Sequence, residues 1–189
     1  TMAGLACLVL LVEVFRGPDN RAATFWAAAM SVMIVLAELA MWFPQSTSLA
    51  FNGTYRVDVM SAVLKAFLMV IVLLSFFYAR DYFERRGRVV QEFYILGLFA
   101  TLGMMVLISA HNLLTVYLGL ELLSLAMYAM VAMDRDSFAA SEAAMKYFVL
   151  GALASGMLLY GMSMIYGVSG TLDLGTLAAQ VAGGNSHLL

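Results

Sequence analysis

The sequence predicts an all-α polytopic membrane protein, and three observations lead to that prediction. Of its 189 residues, 63% are hydrophobic and only 12% are charged. The mean hydropathy is +0.92. The apolar residues are also gathered in long runs that short polar segments separate. Soluble globular domains carry about 25% charged and about 45–50% apolar residues, so we expect the apolar excess of this chain to face lipid.

Five of the apolar runs are long enough to cross a membrane, since a spanning helix needs about 20 mostly apolar residues. They are Ala22–Phe43, Val59–Ala79, Phe93–Ala110, Asn112–Met133 and Ala143–Val168. A sixth run, Met2–Phe15, is shorter, and we expect it to be a spanning helix that lacks its start. The sequence thus predicts about six transmembrane helices. Because it begins at Thr1 inside an apolar run and stops at "NSHLL", we expect it to be part of a longer protein.

Basic residues predict the orientation of these helices. The linkers after the first, third and fifth of the six spans hold seven arginines, and the opposite side holds only Arg56. The seven are Arg16, Arg21, Arg80, Arg85, Arg86, Arg88 and Arg135. Positive charge is enriched on the cytoplasmic side of membrane proteins. We therefore expect a multi-pass protein of the bacterial inner (plasma) membrane, with its first residue on the periplasmic side. The mitochondrial inner membrane is less favoured.

Composition and motifs argue against several classes of function. The net charge of −2 gives no reason to expect a nucleic-acid partner, and the single Cys7 can form no internal disulfide. The sequence has no G-x-G-x-x-G fingerprint and no P-loop. His111 and His187 lie far apart, and no Cys/His cluster is present. We predict no cofactor, metal or redox centre within this chain, and any chemistry is predicted to be proton or ion movement.

Glu121 is the candidate functional residue, because it is a carboxylate near the middle of an apolar span. Charged side chains at a helix centre cost about 2.5–3.5 kcal/mol on insertion scales and commonly mark ion pathways. Tyr117, Ser124 and Tyr128 stand four residues before, three after and seven after it, which predicts one polar stripe on the helix. Such a stripe could hold water and pass protons. The alternative is a protonated glutamate that only hydrogen bonds a neighbouring helix, and we favour the functional interpretation.

Lys146 is a second candidate. If its helix begins near Ser137, the lysine lies about two turns inside the cytoplasmic end, where it could act as a base or as a cationic partner of a carboxylate. Glu142, four residues earlier, offers an ordinary helical ion pair instead. A lysine near a helix end can also extend its ammonium to water. The spacing favours neither interpretation.

Three other ionisable residues lie closer to the membrane interfaces. Lys65 and Glu38 lie toward the non-cytoplasmic side of their spans, and Glu13 lies near the cytoplasmic end of its span. We expect each to reach the interface or to form a structural pair, and Lys65 could pair with Glu38. The sequence does not decide whether these residues are functional or structural.

The segment "GALASGMLLYG" predicts close helix packing. Gly151 and Ser155 are four residues apart, as are Ala152 and Gly156. Small residues at this spacing allow the backbones of two helices to approach each other.

From His111 to Leu174 the chain resembles the proton-conducting antiporter-like membrane subunits of respiratory complex I. The motifs are "LGLELLSL" around Glu121, "EAAMKYF" at the start of the next helix and "SGTLDL" after it, and "YRVD" before the third span also fits. The L and M subunits and the cation/proton antiporter subunits usually have tryptophan where this chain has Leu120. That difference favours the branch of NADH-quinone oxidoreductase subunit N, called NADH dehydrogenase subunit 2 in mitochondria.

The resemblance implies a fold of about fourteen transmembrane helices with two inverted repeats of five helices, each containing a broken helix. The six spans would be helices one to six. Residues 1–92 would hold helices one to three, and residues 93–189 would hold helices four to six, the start of the first half-channel. The family's glutamate in helix five falls on Glu121, and its lysine near the start of helix six falls on Lys146. Further family lysines, in helices seven, eight and twelve, would lie beyond Leu189.

The resemblance also implies a function. The chain would be a membrane-arm subunit of a proton-pumping NADH:quinone oxidoreductase, a translocase that couples electron transfer in partner subunits to proton movement through a buried Glu/Lys path. FMN, iron–sulfur clusters and quinone would be held by those partners. The partners of this chain would be other membrane-arm subunits and the lipid bilayer. The alternatives are a subunit of a multi-subunit cation/proton antiporter and a structural membrane subunit without its own proton path.

Overall fold

A computed structural model of the chain describes residues 1–16, 21–85, 91–134 and 136–183. Within these residues the fold consists of seven α-helices and one β-hairpin. The helices are α1 (Met2–Arg16), α2 (Arg21–Met41), α3 (Val59–Arg85), α4 (Gln91–Ile108), α5 (Leu113–Val131), α6 (Phe138–Ser169) and α7 (Leu174–Ala182). Five of them, α2 to α6, are long and apolar enough to cross a membrane, and α1 is a shorter apolar helix. The predicted all-α membrane architecture is confirmed.

The predicted orientation rests in part on residues outside this description. Arg86, Arg88 and Arg135 lie outside the described residues, as does His187 at the end of the chain. Arg80 and Arg85 lie in the last turns of α3, where each pairs with a carboxylate four residues away. These pairs extend α3 beyond the predicted end of the span at Ala79.

Polar residues directly before the apolar runs fix where several helices begin. Ser137 caps α6 through a hydrogen bond from the Ala140 backbone N–H, so α6 begins before the predicted start at Ala143. At the start of α3, Asp58 Oδ1 accepts the Ser61 backbone N–H at 2.8 Å. The Ser61 hydroxyl in turn accepts the Asp58 backbone N–H at 3.1 Å, which completes a reciprocal capping box.

The β-hairpin lies in the linker between α2 and α3, where the sequence analysis predicted only a polar connection. Strand β1 (Ser48–Ala50) pairs antiparallel with β2 (Tyr55–Val57). The turn contains Phe51, Asn52 and Gly53 with φ of 50°, 56° and 85°. An Asn-Gly pair favours such left-handed turn residues, because neither residue is strongly disfavoured there.

The hairpin and α7 connect the ends of the helices opposite to Arg80 and Arg85. The Arg56 N–H donates to the Ser109 carbonyl at 2.8 Å, and the His111 N–H donates to the Thr54 carbonyl at 3.0 Å. On its other side, the α4–α5 turn bonds the segment before α7, with the Leu113 N–H donating to the Leu172 carbonyl at 2.9 Å. Helix α7 was not predicted. Its first turn is capped by the Asp173 side chain.

The apolar core lies among α1, α2, α3 and α4, where Ala6, Val32, Met69 and Leu98 are fully buried.

Helix α5 packs on α4 at two glycines. A Cβ at Gly103 would lie 2.7 Å from the Leu123 backbone N and 2.8 Å from the Gly119 carbonyl oxygen. The two backbones are therefore in direct contact, which positions α5 and its glutamate. Helix α6 packs mainly against α5, and Met162 is its one buried residue in the described structure.

Candidate functional site

Glu121 lies near the middle of α5, and its side chain is half-buried. Its Oε1 atom is fully buried and has no hydrogen-bond partner among the described residues. A buried polar atom that has lost water without gaining a hydrogen bond is costly. Among the described residues, no group on a neighbouring helix bonds this oxygen.

Tyr117 and Ser124 share the face of Glu121. The Tyr117 side chain, one turn before Glu121, lies close enough to the carboxylate to interact with it electrostatically, and both Tyr117 and Ser124 are half-buried. The structure therefore brings the first three members of the predicted polar stripe together on one side of α5.

Tyr128, the fourth member of the stripe, packs against α6. Its ring meets the rings of Tyr147 and Phe148 edge-on, with centroids 4.8 Å and 5.6 Å away. A Cβ at Gly151 would lie 1.9 Å from the Tyr128 hydroxyl oxygen. These contacts show that Tyr128 holds α5 and α6 together at this level.

Lys146 lies on the exposed side of α6, and 70% of its side chain is accessible. Its Nζ donates to Glu142 Oε1 at 2.6 Å, the helical ion pair that the sequence offered as one alternative. In the described structure it is Glu142, and not Glu121, that pairs with this ammonium. Lys146 continues a stripe of exposed apolar residues spaced three or four apart along α6, namely Leu150, Leu153, Met157, Tyr160, Met164 and Val168. Other large apolar residues, such as Phe148, Leu159 and Ile165, are exposed on the remaining faces of α6.

Lys65 does not pair with Glu38, a pairing that the sequence had left open. Lys65 is only 5% exposed, and its Nζ donates to the Tyr55 hydroxyl at 2.8 Å and to the Ser109 hydroxyl. The ammonium also lies 4.7 Å from the centroid of the Tyr55 ring. Glu38 instead accepts a hydrogen bond from the Thr1 hydroxyl. In the packing of α2 and α3, the Glu38 carboxylate and the Lys65 ammonium therefore bond different partners.

The sequence holds a signal that Lys65 is buried against other elements, which the expectation of an interfacial or paired lysine did not use. No acidic residue stands three or four positions from Lys65. A lysine in an apolar run without a partner on its own helix must find one on another element if it is to be buried. The partners here come from β2 and from the residue after α4.

Glu13 lies in a cleft of about 640 Å³ between the end of α1, the start of α4 and the end of α5. Glu92 lines the same cleft, and the other walls are mainly apolar. Glu13 Oε2 is buried without a hydrogen-bond partner among the described residues. Within those residues, no group of three or more His, Cys, Asp or Glu side chains is arranged to hold a metal ion.

Comparison with known proteins connects this geometry to one family. The transmembrane family described as NADH:quinone oxidoreductase/Mrp antiporter matches residues 110–189, which include Glu121 and Lys146. NADH-quinone oxidoreductase subunit N of Alkalilimnicola ehrlichii is 50% identical over 192 residues, covering 100% of this chain and 39% of the relative. This chain therefore spans about two-fifths of the length of that relative.

Solved structures share the fold. A chain of respiratory complex I from Thermus thermophilus with bound aureothin superimposes with a TM-score of 0.75 at 33% identity, covering 92% of this chain and 37% of that one. A chain of the membrane-bound sulfane sulfur reductase, an archaeal respiratory membrane complex, has a TM-score of 0.74 at 19% identity. It covers 99% of this chain and 40% of that one, and at this identity the likeness concerns the fold alone.

Proposed function

This chain belongs to the NADH:quinone oxidoreductase and Mrp antiporter family of membrane subunits, and from that premise we propose that it takes part in proton translocation as a segment of subunit N. In this proposal Glu121 is the residue whose charge changes during the cycle. Electron transfer takes place in partner subunits that hold FMN, iron–sulfur clusters and quinone. The partners in the membrane are the other subunits of the membrane arm.

The observation that carries the proposal is the Oε1 atom of Glu121, which is buried and has no hydrogen-bond partner among the described residues. A carboxyl group without a fixed cation can exist as the neutral acid or as the anion, and the balance between the two depends on charges nearby. In a medium of low dielectric constant, a charge several ångströms away changes that balance strongly. Tyr117, one turn away on the same helix, is the polar side chain that interacts with this carboxyl group.

Lys146 is the second charge in this proposal. Its helix presents an exposed apolar stripe that begins at the lysine, and the subunit N relative is more than twice as long as this chain. We infer that the helices that follow in the full-length protein cover the stripe and remove Lys146 from water. Burial would strengthen its electrostatic influence on Glu121. Residues 93–189 would then form the start of a half-channel, although 184–189 lie outside the described residues.

The orientation of the helices in the membrane defines the two compartments between which protons would move. Arg80 and Arg85 at the end of α3 belong to the arginine-rich side, and the hairpin and α7 lie at the opposite ends of the helices. We propose that the arginine-rich side is the cytoplasm and that the first residue lies on the periplasmic side of a bacterial inner membrane.

The test is Glu121→Gln in the full-length parent complex, in sealed inverted membrane vesicles. NADH-driven quinone reduction and formation of a pH gradient are recorded on the same vesicles, after native electrophoresis confirms the amount of assembled complex. Since proton transfer groups contribute about 10²–10⁴-fold to the steps they serve, we expect both activities to fall by at least an order of magnitude. Assembly should be unchanged, because glutamine fills the same space.

Glu38→Gln is the matched control. Glu38 is also half-buried in a spanning helix, but its carboxylate accepts a hydrogen bond from Thr1 at the end of α1. This variant should assemble and pump normally. Wild-type rates in both variants would contradict the proposal and would assign Glu121 a purely structural role. Co-purification of the full-length protein with flavin and iron–sulfur subunits separates the oxidoreductase from a cation/proton antiporter.

A further inference from the structure

We propose that Lys65, together with Tyr55 and Ser109, forms a second protonatable site of this subunit, one that exchanges its proton with the non-cytoplasmic side. The inference deepens the proposed function, because it adds a group to the proton path. The three residues come from three elements: α3, β2 and the turn after α4. Ser109 is 1% exposed and Lys65 is 5% exposed, whereas Tyr55 is half-buried.

The surroundings of Lys65 do not neutralise its charge. Its two hydrogen-bond partners are hydroxyl groups, which carry no formal charge. The carboxylate of Asp58 interacts with Lys65 only at a distance, and it is committed elsewhere. One of its oxygens lies 3.0 Å from Arg56 Nε, and the other accepts the Ser61 N–H at 2.8 Å.

A buried ammonium without an anionic partner is costly, since it gives up hydration that hydroxyl groups replace only in part. Many buried lysines that titrate in the physiological range do so for this reason. A lysine held only as a structural charge would instead be expected against a carboxylate, and within the described residues none contacts Lys65. The geometry therefore leaves the ammonium without a fixed counter-ion among the described residues.

Tyr55 provides the route between the amine and the surface. Its hydroxyl accepts the hydrogen bond from Nζ, and its half-buried ring belongs to the hairpin on the non-cytoplasmic side. A cleft of about 390 Å³ adjoins the site, lined by Ser61 and Leu64 of α3 and by Ala110 and His111 next to Ser109. The cleft thus lies beside the sequence neighbours of Lys65 and Ser109, and in this proposal it holds the water that exchanges protons with the site.

The proposed transfer conserves both charge and protons. The Lys65 ammonium gives one proton to the Tyr55 phenol oxygen while the phenol's own proton passes to water on the non-cytoplasmic side. Lys65 becomes a neutral amine, Tyr55 remains a neutral phenol, and one proton has left the protein. Uptake follows the reverse sequence. Ser109 keeps the amine in place through its second hydrogen bond.

Lys65→Arg distinguishes a titrating lysine from a fixed charge. Arginine keeps the positive charge and the hydrogen-bond donors, but its guanidinium is not deprotonated in proteins. The variant is made in the full-length complex and assayed in sealed inverted vesicles for quinone reduction and pH gradient, with assembly measured by native electrophoresis. We expect both rates to fall on the order of tenfold or more at normal assembly. Wild-type rates would overturn the proposal, because a fixed charge would then be sufficient.

Tyr55→Phe provides a second test if the larger arginine prevents assembly. Phenylalanine keeps the ring under the ammonium and removes only the hydroxyl, so the complex should assemble and its rates should fall by several-fold. Tyr78→Phe is the matched control, since Tyr78 lies on α3 with 77% of its surface exposed. Wild-type rates in Tyr55→Phe would overturn the relay through this residue.

The failure of this inference can be told from the failure of the proposed function. If Glu121→Gln is inactive and both variants at the Lys65 site are normal, only the second site is contradicted. If Glu121→Gln is normal and the Lys65 site variants are inactive, the role of Glu121 is wrong and the second site is supported. If all are normal, both fail.

Discussion

The Tyr128 hydroxyl on α5 lies directly over the Cα of Gly151 on α6, so that a Cβ at that glycine would be 1.9 Å from the oxygen. The rings of Tyr147 and Phe148 flank Tyr128 and prevent it from tilting freely. Gly151 is the first glycine of the small-residue segment in α6, whose predicted role was close helix packing. The close partner at this position is an aromatic side chain.

Gly151→Ala should therefore weaken the contact between α5 and α6. The ring of Tyr128 has to shift as a whole, because its Cζ would also lie only 2.5 Å from the new Cβ. Overpacking of this kind typically costs about 1–3 kcal/mol. The measurement is the thermal unfolding midpoint of the full-length subunit in detergent. Gly156→Ala is the control, since the described residues leave open space there. An unchanged midpoint in Gly151→Ala would contradict the packing role of Tyr128.

Gly103→Ala should be the more damaging glycine substitution. At Gly103 the new Cβ would meet backbone atoms of α5, including the Leu123 N at 2.7 Å. Backbone atoms cannot rotate away as a side chain can, so α4 and α5 must separate along their length. We expect loss of assembled complex in membranes, measured by native electrophoresis, and a lower midpoint than Gly151→Ala gives. Equal unfolding midpoints for the two variants would contradict this prediction. They would show that the backbone contact at Gly103 is no harder to relieve than the side-chain contact at Gly151.

Hydrophobicity predicted most of the helices, because the length and the apolar composition of a spanning helix can be read from one continuous segment of the sequence. The spans became α2 to α6 with shifted ends, and the shifts follow local capping, such as Ser137 before α6. The β-hairpin and α7 were missed for the complementary reason. Strands of three residues and a helix of nine residues are too short to give a hydrophobic period, although Asn52-Gly53 marked the turn.

The candidate site was predictable only in part, because partners on other helices depend on packing. Tyr117 and Glu121 lie four residues apart on one helix, and their contact followed from helical spacing. The partners of Lys65 come from residues 10 and 44 positions away in the sequence. No spacing rule connects them, and the pairing with Glu38 that the sequence had left open does not form.

Asp173 should give α7 a pH-dependent cap. The backbone N–H of Thr176 at 2.7 Å and then its hydroxyl at 2.8 Å hold the pKa of the Asp173 carboxyl below its ordinary value of 3.8. A lowered pKa means that the cap stabilises the fold fully above pH 3.8 and loses this effect as the pH falls through the lower, folded-state value. Hydrogen exchange of the first-turn amides of α7 reports the cap.

At neutral pH, Asp173→Ala should exchange these amides several-fold faster than the wild type, because alanine cannot accept the Thr176 N–H. Asp173→Asn is the control, since asparagine caps helices about as well without a titrating charge. The difference between the wild type and Asp173→Ala should disappear in acid. A difference that persists well below pH 3.8 would contradict a cap that depends on the carboxylate.

Lys146→Met should lower the activity of the complex without lowering its stability. In the described structure the ammonium pairs only within its own helix, and methionine is an unbranched apolar residue of similar length that also fits where following helices cover the position. The unfolding midpoint and the amount of assembled complex should therefore remain close to the wild type.

If Lys146 is the charge that acts on Glu121, NADH-driven quinone reduction and the pH gradient should fall together, several-fold or more. Glu142→Gln removes the same ion pair and leaves the lysine in place, so it should retain both activities. Equal activity in Lys146→Met and Glu142→Gln would mean that the helical pair is all that Lys146 contributes, and the electrostatic coupling to Glu121 would have to come from another cation.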